Sequence, residues 1–171
     1  MSKYLIEKMQ KVKYLLTDCD GVLTDGAVYY NDQGEELKKF YYRDGMGVER
    51  VRKFAGIDVG IITGENSMPL KKRAEKLKIL ELHLGIKDKL KTLDDILERH
   101  NLKYEEIAYI GDDMNDLEII KKVGVSACPA DAFDYIKDYV DYECRTTGGG
   151  GAFREFCEKI ISAKKRGENN E

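Results

Sequence analysis

Apolar runs of strand length recur at Val12 to Thr17, Asp58 to Ile62, Ile107 to Ile110 and Val125 to Ala127, each bounded by polar or glycine-containing segments. Between them, Gly45 to Phe54, Ser67 to Leu77, Lys87 to His100, Asp113 to Val123 and Ala152 to Ser162 carry apolar residues at helical spacing with charged residues in the intervals. Strands that read as wholly buried, alternating with amphipathic helices, predict an α/β fold: a Rossmann-like three-layer sandwich built on a mainly parallel sheet. The stretch from Tyr29 to Phe40 departs from this pattern. Its polar turn Asn31-Asp32-Gln33-Gly34 separates two strand-like segments and predicts a β-hairpin over about residues 27–40, projecting after the first strand. Pro69 falls near a helix start, where proline is tolerated, and Pro129 in a loop. The polar tail from Lys164 to Glu171 is expected to fray or be disordered, which leaves one domain over residues 1–163.

Composition narrows the function classes. With 171 residues, 42% of them hydrophobic, one domain can bury a sizeable core. The 29 basic and 32 acidic residues nearly cancel, so nothing draws the chain as a whole to nucleic acid or anionic lipid. No apolar run approaches the roughly 20 residues that span a bilayer, and Met1 to Lys13 lacks a signal-peptide core. A cytoplasmic protein without membrane or nucleic-acid partners is expected. Cys19, Cys128, Cys144 and Cys157 are widely spaced with no C-x-x-C pair, which points to reduced, buried thiols.

In an open parallel sheet, ligands bind beyond the carboxyl ends of the strands. The first strand ends in Asp18-Cys19-Asp20-Gly21-Val22-Leu23-Thr24-Asp25-Gly26 and the second in Thr63-Gly64-Glu65. The apolar segment Glu81 to Leu84 leads to Lys87, Asp88 and Lys89, and Ile107 to Ile110 ends in Gly111-Asp112-Asp113-Met114-Asn115-Asp116. Two carboxylates one residue apart place two side chains, or a side chain and a carbonyl, around one hard cation, and Asp112 offers a further oxygen from a neighbouring strand. Magnesium prefers such oxygens and takes substrate phosphate into its remaining positions. Asp18 is then the candidate nucleophile, forming an aspartyl-phosphate, and Asp20 the general acid and base. Thr63 and Lys89 suit the phosphoryl oxygens, to which Gly21 and Gly64 give backbone amides access. Each element alone has an ordinary reading: a turn for D-x-D, a helix cap for Asp112, Asp113 or Thr63, a solvated residue for Lys89. Four such motifs at consecutive strand ends are poorly explained by independent turns and caps.

The series D-C-D-G-V-L-T-D, I-I-T-G, a lysine and G-D-D-M-N-D resembles the haloacid dehalogenase superfamily of phosphohydrolases over nearly the whole chain. The fuller pattern adds a hairpin, R-D-G and the terminal G-G-x-G-A-x-R-E. It is similar to the 3-deoxy-manno-octulosonate 8-phosphate (KDO 8-phosphate) phosphatases and their relatives acting on nonulosonate 9-phosphates. The resemblance implies a magnesium-dependent phosphomonoesterase in which the Asp18 side chain, the Asp20 carbonyl and Asp112 hold the metal, manganese or cobalt being able to substitute. Asp113 and Asp116 match positions that support the metal or Lys89. Thr24, Gly64, Glu65, Arg43, Asp44, Arg73, Lys76 and Arg154 are the candidate substrate-binding residues. Among them Arg43 and Asp44 resemble the family's substrate mouth, and the glycine run with Arg154 a mobile loop closing over a site, its own or a neighbour's.

Asp25 to Asp58 holds only the hairpin and one helix, and Gly64 to Lys89 one helix and one short strand, so no large cap domain fits. Displacement chemistry gains from a covered site. The related enzymes are homotetramers, which implies neighbouring subunits as the cover here. Many KDO 8-phosphate phosphatases carry arginine where this chain has Glu65, and Glu65 with Arg73 and Lys76 resembles the branch acting on 2-keto-3-deoxynononate or sialic-acid 9-phosphates. KDO 8-phosphate is the first expectation and a nonulosonate 9-phosphate the second. A non-catalytic scaffold is the rival of another class, and the intact Asp18, Asp20, Lys89 and Asp112 speak against it.

Overall fold

The computed structural model describes residues 1–168. A six-stranded sheet runs β5-β4-β1-β6-β7-β8, with every pairing parallel. Its members are β1 (Tyr14–Thr17), β4 (Asp58–Ile62), β5 (Glu81–His83), β6 (Ile107–Ile110), β7 (Val125–Cys128) and β8 (Tyr142–Glu143). Successive side chains of a strand point to opposite faces, and β1 shows the consequence. Leu15 joins one buried cluster, while Tyr14 and Leu16 join the other. Helices cover both faces, so all four residues of β1 are buried.

The larger core packs α1 (Lys3–Lys11), α2 (Tyr42–Ala55), α3 (Met68–Leu77) and α7 (Ala152–Glu168) against one face through Met9, Val48, Leu70, Phe153 and Phe156. On the other face α4 (Lys89–His100), α5 (Leu117–Ile120) and α6 (Asp134–Lys137) supply Leu93, Ile96, Ile119 and Ile136. This is the expected three-layer sandwich. The projecting hairpin is also present, as β2 (Val28–Asn31) and β3 (Gly34–Lys38) paired antiparallel in their own sheet. All four cysteines are buried and free, and no helix among the described residues is long and apolar enough to cross a membrane.

Local chemistry explains where boundaries differ from expectation. α3 starts as predicted, with Ser67 accepting from the Leu70 amide and Pro69 in the first turn. α4 begins two residues later than predicted because Asp88 is its cap, accepting from the Lys91 amide, and this makes Lys89 its first residue. α2 begins three residues earlier, so Arg43 and Asp44 lie in its first turn. The expected helix from Asp113 to Val123 breaks into a 3-10 turn, Met114–Asp116, followed by α5. Asp113 accepts from the Met114 amide, and Asp116 from those of Asp112 and Asp113, which tightens the entry. α1, α6 and β8 were not expected. α1 is capped by Ser2 and buries only Leu5 and Met9, a short signal among charged residues.

At the chain end α7 runs on through Glu168, taking in Lys164 to Glu168 of the expected tail, and residues 169–171 lie outside the described residues. Its buried stripe, Phe153, Phe156, Cys157, Ile160 and Ile161, recurs at helical spacing against the large core. Phe156 is fully buried and stacks on Tyr142 at 6.4 Å between centroids. Replacing it, Phe156→Ala, is expected to lower the free energy of unfolding by about 3–5 kcal/mol, read from the urea midpoint. A loss below about 1 kcal/mol would contradict this packing.

Candidate active site

β1 sits between β4, which follows it toward one edge, and β6, which opens the run toward the other. Strand order reverses there, and the diverging loops leave a crevice at the carboxyl ends. Asp18, just beyond β1, donates its amide to the Ile110 carbonyl at 3.0 Å, while Thr63, just beyond β4, donates its own to the His83 carbonyl. The ladder geometry thus carries past the strands and fixes both residues at the rim of a cleft of about 350 Å³.

Behind Asp18 the Lys89 ammonium, on the first residue of α4, contacts Asp18 Oδ1 at 3.0 Å and donates to Asp116 Oδ1 at 2.6 Å. Asp116 is fully buried and engages both its oxygens. Oδ1 also accepts from the Tyr109 hydroxyl, and Oδ2 accepts from the Asp112 and Asp113 amides. Burial alone would lower the Lys89 pKa, but the charges of Asp18 and Asp116 outweigh it and hold the ammonium above its ordinary range. The carboxylates move the opposite way from normal. Burial, then repulsion from Asp116, pushes Asp18 up, and burial, then repulsion from Asp18, pushes Asp112 up to about 8.

The donor set fits a hard cation. Oxygens of Asp18, Asp112 and Asp116 lie within 4.8 Å of one another, and one buried oxygen of Asp112, Oδ1, has no hydrogen-bond partner. An orphaned carboxylate oxygen among crowded, desolvated carboxylates is what a divalent ion would satisfy. Because Asp116 spends both oxygens on donors, Asp18 and Asp112 are the better ligands, and Asp116 acts as a brace for Lys89 and the 112–113 backbone. Gly21 is required at the same place. Its φ is +81°, and a Cβ there would lie 2.0 Å from Asp112 Oδ2. Gly64 has no comparable restriction, since a Cβ would meet nothing closer than 3.8 Å.

Asp20 lies beside this centre and lines the cleft. Both of its oxygens accept from Lys38 Nζ, at 2.7 and 2.8 Å, and Oδ1 also accepts from the Thr24 hydroxyl at 3.3 Å. Asp113 lines the cleft too and accepts from the Tyr135 hydroxyl. Sequence reasoning passed over Lys38, Tyr109, Tyr135 and Asp131. Asp131 lines the cleft in the loop beyond the end of β7.

The predicted substrate-binding residues divide. Gly64 and Glu65 line the cleft. Thr24 does not; it is buried beneath Asp20. Arg43 projects to solvent near the Tyr41 ring, and Arg73 and Lys76 line a separate hollow between α2 and α3. Asp44 is buried behind the sheet end, where Oδ1 accepts from the Arg154 amide and Oδ2 has no partner; burial pushes its carboxyl up to about 6. The Arg154 side chain turns to Glu158 at 2.8 Å. None of Thr24, Arg43, Asp44 and Arg154 is among the residues lining this chain's cleft.

The glycine run, expected as a mobile loop over a site, packs in this structure under the loop that carries Asp20. The Gly148 amide donates to Asp131 and that of Gly149 to the Val22 carbonyl at 3.0 Å, and a Cβ on Gly148 would lie 1.9 Å from the Gly21 carbonyl oxygen. Glu155, in the same terminal motif, pins the approach by accepting from the Arg145 and Thr146 amides.

The haloacid dehalogenase-like hydrolase family matches residues 55–155, and the chain belongs to that family. Within it, the chain is 39% identical over 164 residues to the 3-deoxy-D-manno-octulosonate 8-phosphate phosphatase KdsC of Escherichia coli, covering 96% of this chain and 87% of the relative. Two solved structures are similar throughout. The cobalt-bound deoxy-D-mannose-octulosonate 8-phosphate phosphatase from Haemophilus influenzae has a TM-score of 0.89 at 39% identity, over 92% of each chain. The 3-deoxy-D-manno-octulosonate 8-phosphate phosphatase from Moraxella catarrhalis, in complex with magnesium, phosphate and KDO, has a TM-score of 0.92 at 33% identity, over 99% of this chain and 97% of that one.

The close approach at Gly148 is testable. Gly148→Ala is expected to destabilise the fold by about 2 kcal/mol and to weaken divalent-ion binding, measured calorimetrically, because Gly21 must shift against Asp112. Unchanged stability and ion affinity would contradict that contact.

Proposed function

We propose that the chain is a divalent-metal-dependent phosphomonoesterase for a 2-keto-3-deoxy sugar acid phosphate, with KDO 8-phosphate as its substrate. The observation carrying this is the convergence of Asp18, Asp20 and Asp112 in one cleft, with Lys89 against Asp18, in a chain 39% identical to a phosphatase of that name.

Asp18 attacks phosphorus as the bond to the sugar oxygen breaks, and Asp20 delivers a proton to the departing alkoxide. Water then attacks the aspartyl-phosphate with Asp20 taking its proton, and the bond to Asp18 breaks, releasing phosphate. Lys89 holds the Asp18 carboxylate in place, and with Thr63 it meets the phosphoryl oxygens. The side chains of Asp18 and Asp112 and the carbonyl of Asp20 hold magnesium, which offsets carboxylate and phosphate charge when bound; manganese or cobalt suits the same oxygens.

Carboxylates dominate the cleft lining, and no arginine or lysine lines it among the described residues. An anionic sugar acid therefore needs cations from elsewhere. We infer that Arg73 and Lys76, which line their own hollow away from the cleft, serve a neighbour's site in a homotetramer. Glu65 at the cleft favours one second reading, a nonulosonate 9-phosphate, because a carboxylate accepts from the extra hydroxyls of a longer sugar.

Phosphate release with magnesium from KDO 8-phosphate, 2-keto-3-deoxynononate 9-phosphate, N-acetylneuraminate 9-phosphate and hexose phosphates is expected to favour the first by at least about tenfold in kcat/KM, a difference worth roughly 1.4 kcal/mol. Chelation should abolish release and added magnesium restore it. Asp18→Asn should be inactive with an unchanged circular dichroism spectrum; full activity in that variant overturns the mechanism. No release from any sugar acid phosphate by folded protein favours a non-catalytic scaffold. Light scattering should give a tetramer, and a fully active monomer rules out the shared site.

A further inference from the structure

Lys38 lies in the hairpin, 18 positions from Asp20 in sequence, yet its ammonium spans both oxygens of that carboxylate at 2.7 and 2.8 Å. The Lys38 side chain is 1% exposed and is not among the residues lining the cleft. Behind it Glu35 approaches the same ammonium at 3.3 Å and accepts from the hydroxyl of Ser67, the cap of α3. Residues three apart in a regular strand face opposite sides. Here the β2–β3 register shifts between Tyr29 and Tyr30, adding one residue on the β3 side, and this bulge turns Glu35 and Lys38 the same way. A buried cation with two carboxylate partners and a bulge that aims it is a built arrangement, not an exposed ion pair.

We propose that Lys38, braced by Glu35, is a positioning residue that fixes the Asp20 carboxylate for proton transfer at the sugar oxygen, an assignment resting on the reading of Asp20 as acid and base. Asp20 stands on a loop, and among the described residues its side chain accepts, apart from Lys38, only the long 3.3 Å bond from Thr24. Released from Lys38, it swings, and misplacement by about 1 Å costs on the order of a hundredfold in a transfer that demands alignment. The hairpin thereby contributes to the chemical step through Asp20, and through Ser67 it ties the Asp20 loop to the segment carrying Thr63 and Glu65.

Leaving-group dependence separates this role from general loosening. A sugar alkoxide needs a proton to depart, whereas p-nitrophenolate does not. Because kcat/KM reports the steps through departure, Lys38→Met is expected to lower it roughly 10- to 100-fold for the sugar acid phosphate and less than about threefold for p-nitrophenyl phosphate. In an Asp20→Asn background, adding Lys38→Met should change the residual sugar-phosphate rate less than about threefold, since the group it positions is already lost. Should Lys38→Met fail to fold by circular dichroism, Glu35→Gln is measured instead, with a smaller loss of the same selectivity, about 3- to 10-fold. Equal losses on both substrates, or a loss undiminished in Asp20→Asn, overturn the proposal. Absence of hydrolysis of the sugar acid phosphate by the unaltered enzyme overturns the functional reading itself, which keeps the two failures distinct.

Discussion

Lys89 is held between Asp18 and Asp116 at the carboxyl end of the sheet, with all three side chains withdrawn from water. Removing such charges from water costs several kcal/mol per ion, and the attraction between them offsets this only when geometry is close and the remaining oxygens are satisfied. Here Asp116 satisfies its own by drawing on Tyr109 and on two backbone amides. One consequence is local: the 3-10 turn that interrupts the expected helix exists because those amides are turned to a side chain. Another concerns chemistry. A network that balances Lys89 but leaves Asp112 Oδ1 without a partner and both Asp18 and Asp112 shifted upward is balanced for a further positive charge.

The sheet supplies the geometry that makes this network possible. Parallel strands end together on one side, and the reversal of order at β1 opens their loops apart, so groups from β1, β4, β6 and the start of α4 converge without any one loop having to be long. Gly21 and Gly148 then set how closely the loops approach. A side chain at either would collide with a carboxylate or a carbonyl within 2.0 Å. The terminal glycine run therefore belongs to the construction of the Asp18–Asp25 loop, and the residues nearest it in sequence, such as Arg154, are committed to α7 packing and to Asp44.

Much of this was legible in the chain because strand ends are marked by abrupt changes from apolar runs to short polar motifs. Asp18, Asp20, Thr63, Lys89 and Asp112 all stand at such edges. The hairpin was legible from its turn, but the purpose of Lys38 was not. Its partner is fixed by a bulge, and register within a short exposed hairpin leaves no trace in apolar spacing. Thr24 and Asp44 were legible as polar residues in motifs but not as buried ones, since the pattern does not say whether a side chain faces a cleft or the packing behind it. The glycine run was ambiguous for a related reason: glycine marks both freedom and close contact, and only the packing of Gly148 against Gly21 decides between them.

The acidic cleft also bears on how a small phosphatase works without a cap. Lys89 and Lys38 are both buried among carboxylates, so neither extends a free charge toward solvent, and the mouth presents carboxylates such as Glu65 and Asp113. A field of that sign opposes the approach of an anionic substrate. Two remedies are compatible with the geometry: a cation held by Asp18 and Asp112, and basic side chains delivered from outside the chain's own cleft. The first acts at the phosphoryl group and is common to any phosphate ester. Under the proposed function the second would act at the sugar acid, so discrimination among substrates would rest with the residues that complete the mouth, while the buried network around Asp18 and Asp20 would serve whichever sugar departs.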